Sequence, residues 1–151
     1  MPASATAAPL DTAALPWVPL KPGLAFKPLA YFPGNMGWQL LLKVDPGTKI
    51  ALHRHTGPVH AFNLSGSRLL DTGEIAGPGS YVFEPAGNVD CWEAVGEEPC
   101  IVHIEVNGRN EYFDAAGNVD HVADAEGSRR MYLDWCAANG WPVHPAFAVA
   151  P

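Results

Sequence analysis

Positive charge is scarce in this chain of 151 residues: nine Lys and Arg stand against 16 Asp and Glu, a formal charge of −7 with the histidines neutral. No basic run is longer than Arg129-Arg130, so a phosphate backbone or an anionic membrane surface finds no electrostatic footprint, and neither nucleic acid nor membrane is expected as a partner. Long apolar runs are missing too. Stretches such as Leu40-Leu41-Leu42 fall far short of the ~20 residues a helical span requires. Cysteine is sparse, and Cys91, Cys100 and Cys136 are an odd number at no metal-ligand spacing. No early segment joins basic residues to an apolar stretch and a cleavage site, so reduced thiols in a cytoplasm are expected. No G-x-G-x-x-G opens a helix after a strand and no G-K-[ST] occurs, which leaves no nucleotide cradle.

What is present is apolar and heavily punctuated. With 48% hydrophobic and only 17% charged residues, a chain of this length forms one globular domain rather than a disordered one. Its 15 Gly and 15 Pro break long helices and suit short strands joined by turns. Residues 1–14 begin with small residues interrupted by proline and read as a flexible tail. The stretch LPWVPLKPGLAFKPL at 15–29 reads as an extended strap on a sheet edge, anchored by Trp17 and Phe26. Strand-like runs follow at 37–44, 48–54, 59–65, 67–71, 80–84, 89–94 and 100–106, each bounded by Gly, Pro, Asn or Asp, the pattern of an all-β sandwich or barrel. After Gly108 the pattern changes. Met131, Leu133, Trp135 and Cys136 fall near helical spacing in 122–139, with Gly140 as a stop and Pro142 beyond it, so one C-terminal helix is expected before a tail at 141–151. AGNVD occurs at 86–90 and again at 116–120, but the flanks differ and the echo reads as chance.

The chemistry-bearing feature is His53-Arg54-His55. On a strand, residues two apart project to the same face, so both imidazoles enter one space while Arg54 points away. Two neutral imidazoles side by side are half of a metal site. Gly47 lies six positions before His53, Gly66 ends the following strand, and Gly79, Pro85 and Gly87 stand in G-x5-P-x-G order.

This spacing resembles the two motifs of the cupins, G-x5-H-x-H-x3,4-E-x6-G and G-x5-P-x-G-x2-H-x3-N. The pattern is broken where His60 stands in place of the family's glutamate and Asp90 in place of its last histidine. The strap, the stretches PGTKIALHRHTGPVHAFNLSG and GPGSYVFEPAGNVD, and the late MYLDWCAANG are similar to the ChrR-type cupins. That resemblance implies a jelly-roll β-barrel over residues 15–140. It also implies kinship with acetylacetone dioxygenase and, nearer, 2,4'-dihydroxyacetophenone dioxygenase, enzymes that hold one iron and cleave carbon–carbon bonds with dioxygen.

Two histidines and one carboxylate on one face of a metal, with positions left open, is the arrangement of many non-heme Fe(II) oxygenases. His53, His55 and Asp90 supply it if Asp90 shares an inner strand face with Trp92 and Ala94, leaving Cys91 and Glu93 outside. His60 is the competing third ligand. Glu84, just before Pro85, and Asp71, sharing a face with Ser67 and Leu69, are candidates for orienting a ligand or acting as base toward substrate. His103, opposite the apolar set Val102, Ile104 and Val106, reads as a surface or subunit-contact residue, and His121 and His144 as structural or exposed. Cys91 and Cys100 read as packing residues, placed to lie cross-strand in the last hairpin.

The expectation is a dioxygenase using one divalent metal per chain, Fe(II) before Zn, Ni or Mn, on a β-diketone or aryl hydroxyketone bound through its enolate oxygen. Alternatives are a non-catalytic cupin that senses or stores a metal or small molecule, as in anti-sigma modules, and a metal-assisted isomerase or lyase. The strap and the apolar Phe147-Ala148-Val149 tail, read as covers for a neighbour's sheet edge, suggest a homodimer.

Overall fold

In the computed structural model, which describes residues 7–151, the breakers divide the chain into short strands as turn chemistry requires. The first six residues of the expected tail lie outside the described part. The strands are β1 (Val18–Lys21), β2 (Leu24–Tyr31), β3 (Gly37–Val44), β4 (Lys49–His55), β5 (Val59–Ser65), β6 (Ser67–Leu70), β7 (Ile75–Ala76), β8 (Tyr81–Glu84), β9 (Val89–Val95), β10 (Cys100–Asn107), β11 (Asn110–Phe113) and β12 (Val119–Ala123). Helices α1 (Ala125–Asn139) and α2 (Pro145–Ala148) follow.

Two six-stranded antiparallel sheets face each other, in the orders β1-β2-β3-β10-β5-β8 and β12-β11-β4-β9-β6-β7. This is the all-β jelly roll that the sequence implied. Period-two alternation puts Trp38, Leu40, Leu42, Val59, Ala61, Val102 and Val106 on the inner face of one sheet and Ile50, Trp92 and Ala94 on the other, where they pack as one core. Gly66 turns β5 into β6 at φ 64°, and a Cβ there would collide with the Pro99 carbonyl, which is why that corner requires glycine.

The strap is a hairpin rather than one strand. Pro22-Gly23 turns β1 back onto β2, and β2 pairs with β3. Pro28 sits in β2 beside an irregularity between Pro28 and Ala30, the kind of place where a missing N–H is tolerated. Phe26 is buried, whereas Trp17 is half-buried under the ammonium groups of Lys27 and Lys43, 4.9 and 5.1 Å from its ring. Residues 10–14 are not free: Leu10 packs on the core, Asp11 caps a short 3-10 turn at Thr12–Ala14, and Lys27 Nζ donates to Thr12 O at 2.7 Å.

The chain beyond Gly108 differs most from its expected form. Residues 110–123 form the β11–β12 hairpin, so the helix begins at Ala125 rather than 122. Asp124 caps it, accepting from Gly127 N at 2.8 Å, and Gly140 ends it at φ 62°, as capping rules require. Its buried stripe is Ala125, Ser128, Tyr132 and Cys136, with Met131 exposed. Both AGNVD copies make the same local structure, a turn with glycine at φ 86° (Gly87) or 85° (Gly117) leading into a strand.

The 141–151 tail docks on its own chain. Phe147 is buried with its ring 5.7 Å from Tyr31 and 5.4 Å from Tyr132, and Arg129 donates to the carbonyls of Phe147 and Ala148. Its apolar anchor is therefore not available to a neighbour's edge. Cys91 and Cys100 do not lie cross-strand, because β9 and β10 belong to different sheets; with Cys136 they are free thiols. No described helix is long and apolar enough to cross a membrane.

Candidate metal centre

A slip in strand β4 creates the site. Ile50 faces the core, and strict alternation from it would turn Leu52 and Arg54 inward. The register with β9 instead shifts between Ile50 and His53, leaving Leu52 half exposed and burying His53 and His55 at 4% exposure each. Such a bulge re-aims the side chains that follow it. Across the ladder, His53 pairs with Asp90 of β9, where Asp90, Trp92 and Ala94 are buried as alternation predicts. The Pro85–Asn88 corner is pinned by two backbone bonds, Gly87 N to His55 O at 2.7 Å and His55 N to Asn88 O at 2.9 Å. Gly87 makes that corner at φ 86°, a conformation that L side chains adopt only with strain.

The imidazoles are locked in one tautomer. His53 Nδ1 donates to the Ala51 carbonyl inside the bulge at 2.7 Å, and His55 Nδ1 donates to Asn110 Oδ1 of β11 at 2.7 Å. With both Nδ1 protons committed, the Nε2 atoms of the two rings are the ones that converge. These atoms stand 3.1 Å apart, and Asp90 Oδ1 lies 3.1 Å from His53 Nε2 and 3.5 Å from His55 Nε2. Glu84 lies beside the cluster, its Oε2 3.4 Å from His55 Nε2 and its Oε1 accepting from Asn88 Nδ2 at 3.1 Å. Asp90 Oδ1 is close to both rings yet has no hydrogen bond of acceptable geometry and no water access. Acceptors gathered in this way repel one another unless a cation lies between them.

The titration of the site shows the same demand. Burial pulls the His55 pKa down, but Asp90, Glu84 and Asn110 outweigh it and carry it to about 9. Burial likewise works against the Asp90 carboxylate, and its contacts with His55, Glu84 and His53 overcome that and hold it at about 2. His53 shifts the other way, downward, because burial dominates there. His53, His55 and Asp90 form the one group of three or more potential ligands among the described residues. Two imidazole nitrogens and a carboxylate oxygen suit a divalent first-row metal, so the residues present fit the ion that the fold implies.

The cluster opens into a cavity of about 690 Å³ between the sheets, walled by Phe26, Trp38, Leu40, Ile50, Trp92 and Val106. Tyr112 of β11 lies 5.1 Å from the His53 ring, and His121 of β12 stacks on Tyr112 at 4.6 Å with the planes 2° apart, toward the exposed rim. Volume and lining are those of a small-molecule pocket with a few convergent polar groups.

Of the residues singled out in the sequence, His53, His55, Asp90 and Glu84 come together. His60 does not. On β5, Val59 and Ala61 face inward, so His60 faces out, where its Nδ1 meets Tyr81 Oη at 2.6 Å and its ring neighbours Phe83. Asp71 is also outside, exposed in the turn after β6, because the inward phase of that strand belongs to Arg68. His103 faces the outer side and pairs with Gln39 Oε1 at 3.1 Å, and His144 caps α2. Asn110, Tyr112 and Arg68 escaped the sequence reading. The only signals for them were the aromatic pair in NEYF and a charged residue inside the short strand SRLL.

The model of the ChrR Cupin-like domain family matches residues 5–107. No curated protein matches the sequence. Among solved structures, the chain is similar to an RmlC-like cupin protein from Ralstonia eutropha JMP134, at 27% identity and TM-score 0.86 over 95% of each chain. It is also similar in fold to an acetylacetone dioxygenase from Acinetobacter johnsonii, at 18% identity and TM-score 0.74 over 87% of this chain and 93% of that one. Another fold neighbour is Rhodobacter sphaeroides SigE in complex with the anti-sigma ChrR, at 21% identity and TM-score 0.53 over 62% of this chain and 50% of that one. With more than half of its length matched, the chain belongs to the family of ChrR cupin-like domains.

Proposed function

We propose that the protein is a mononuclear metal-dependent dioxygenase, with Fe(II) as the metal, that cleaves a carbon–carbon bond of a small β-diketone or aryl hydroxyketone. The observation that carries this reading is the convergence of His53 Nε2, His55 Nε2 and Asp90 Oδ1 at the wall of an apolar cavity. Such a metal supplies a docking point for an enolate oxygen and the redox chemistry of dioxygen. The chain itself supplies the rest. Ala51 O and Asn110 Oδ1 hold the two imidazoles in their ligating tautomer. Glu84, oriented by Asn88, takes the proton that a carbonyl substrate loses on becoming an enolate, and the apolar walls exclude water from the reacting carbon. Three free thiols fit a reducing cytoplasm, and a homodimer is the proposed assembly, which light scattering tests.

A second reading, a non-catalytic metal- or small-molecule-binding module, is favoured by one feature: a carboxylate, Asp90, where the family pattern has histidine. Metal content and substrate-dependent oxygen uptake separate the two. The dioxygenase reading expects about one iron per chain, lost in His53→Ala and Asp90→Ala and retained in His60→Ala, with oxygen consumed on a panel of β-diketones and aryl hydroxyketones. Iron bound without oxygen uptake leaves the binding module, and no metal after reconstitution overturns the dioxygenase and leaves a metal-free small-molecule module.

A further inference from the structure

The cavity contains a charge that the metal cluster does not use. Arg68 projects inward from β6, opposite Ala94 of β9 and Ala76 of β7, and is only 2% exposed. Its guanidinium lies 4.8 Å from the Trp92 ring centre, and its Nε donates to Asn63 Oδ1 at 3.0 Å. Asn63 is itself fully buried and fixed, donating to Ala76 O at 3.1 Å and contacting Cys100 Sγ at 3.4 Å. The guanidinium is thus held in place, but its Nη2 is enclosed without a hydrogen-bond partner and no carboxylate lies at ion-pair distance among the described residues. A buried, permanently charged group is strongly disfavoured unless an anion faces it. Arg68 lines the same cavity as His53, His55 and Glu84.

Charge balance narrows what faces it. Glu84 and Asp90 are the carboxylates that act on Arg68, from a distance, whereas Asp124 and Asp134, which line the same cavity, do not. A divalent cation between His53, His55 and Asp90 takes up those two negative charges, which leaves the guanidinium as one uncompensated positive charge inside apolar walls.

We propose that Arg68 is the anchor for a carboxylate on the substrate, so that the cavity selects an apolar carbonyl compound carrying one negative charge. Here the guanidinium, preset by Asn63 and Trp92, supplies the positive charge that faces the carboxylate, and the apolar body of the ligand lies against the cavity wall. This assignment rests on the metal reading above, because an empty cluster leaves Asp90 and Glu84 to balance Arg68.

The test is equilibrium binding to protein loaded with Zn(II), a redox-silent probe, using benzoate and its neutral isostere benzamide at pH 7 followed by calorimetry. Benzoate is expected to bind at least tenfold more tightly than benzamide. Arg68→Met, which keeps the volume and removes the charge, is expected to bring benzoate down to the benzamide level without changing benzamide, and Arg68→Lys to keep the preference for the anion. Equal binding of the two probes to the wild-type protein overturns the proposal whether or not a variant folds. So does an undiminished benzoate preference in Arg68→Met, which would place the carboxylate on the metal. Failure of the protein to take up Zn(II) overturns the metal reading instead, and the two failures are distinguished by the metal titration that precedes the probes.

Discussion

Metal binding should displace one proton, and that proton is on His55. In the metal-free protein the His55 pKa is about 9, above its ordinary value near 6.5. Its stabilising contribution is therefore complete below pH 6.5 and is lost as the pH rises through 9. Asp90, held at about 2, contributes above pH 3.8 and loses that contribution as the pH falls through 2. On these two groups the metal-free fold is most stable between about pH 4 and 6.5. The groups facing His55 are His53, Asp90 and Glu84, with Asn110 on its Nδ1 side. His53 is pushed toward its neutral form by burial.

A metal requires the bare Nε2 lone pair. At pH 7, two units below 9, the proton reduces apparent affinity ~100-fold, about 2.7 kcal/mol at 1.36 kcal/mol per unit. The logarithm of the Zn(II) affinity should rise by about one per pH unit from pH 5 to 8 and level off above 9. Calorimetric titrations in buffers of different ionisation enthalpy give the proton number directly. A flat affinity profile, or no proton released at pH 7, would refute the assignment of a proton to His55 that a metal must displace.

Asn110→Ala should leave the fold intact and lower metal affinity about 10- to 100-fold, because it frees the His55 ring to choose the wrong tautomer; a competitive chelator titration measures this. Gly87→Ala meets no steric neighbour yet places a Cβ at φ 86°, so it should cost about 1–2 kcal/mol in urea unfolding and loosen the corner bonded to His55. Phe147→Ala empties a site buried between Tyr31 and Tyr132, and an unfolding titration should show about 3–5 kcal/mol lost. An exposed, mobile tail would show almost none.

The strands were legible because burying one face of a sheet imposes a period of two, and the breakers of this chain mark nearly every corner. The pair His53 and His55 was legible for the same reason, since a two-residue spacing puts both on one face in whichever phase the strand runs. Phase relative to the core was not legible. From Ile50 alone, alternation points the wrong residues inward, and the bulge that corrects it depends on how β4 pairs with β9. The same ambiguity placed Asp71 with Ser67 and Leu69 on the pocket side, and β6 runs in the other phase, with Arg68 buried and Asp71 exposed. His60 satisfied the family spacing for a ligand, but its neighbours Val59 and Ala61 claim the core face of β5, and two adjacent residues of a strand do not face the same side.

The β11–β12 hairpin shows where local reading ends. Its strands mix Tyr112, Phe113, Val119 and Val122 with polar residues in no clear alternation, and only pairing with β4 joins them to the sheet, which brings Asn110 to His55 and Tyr112 to His53. The tail around Phe147 is similar, since nothing local announces that Tyr31 and Tyr132, more than a hundred residues and about one helix away respectively, make its pocket. The sequence by itself determined the class of fold, the turn positions and the two imidazoles, because these follow from periodicities and backbone permissions that act over a few residues. The tertiary structure decided which carboxylates join them, which tautomer they adopt and which cation stands unpaired in the cavity, because those depend on strand phase and on contacts between residues far apart in the chain.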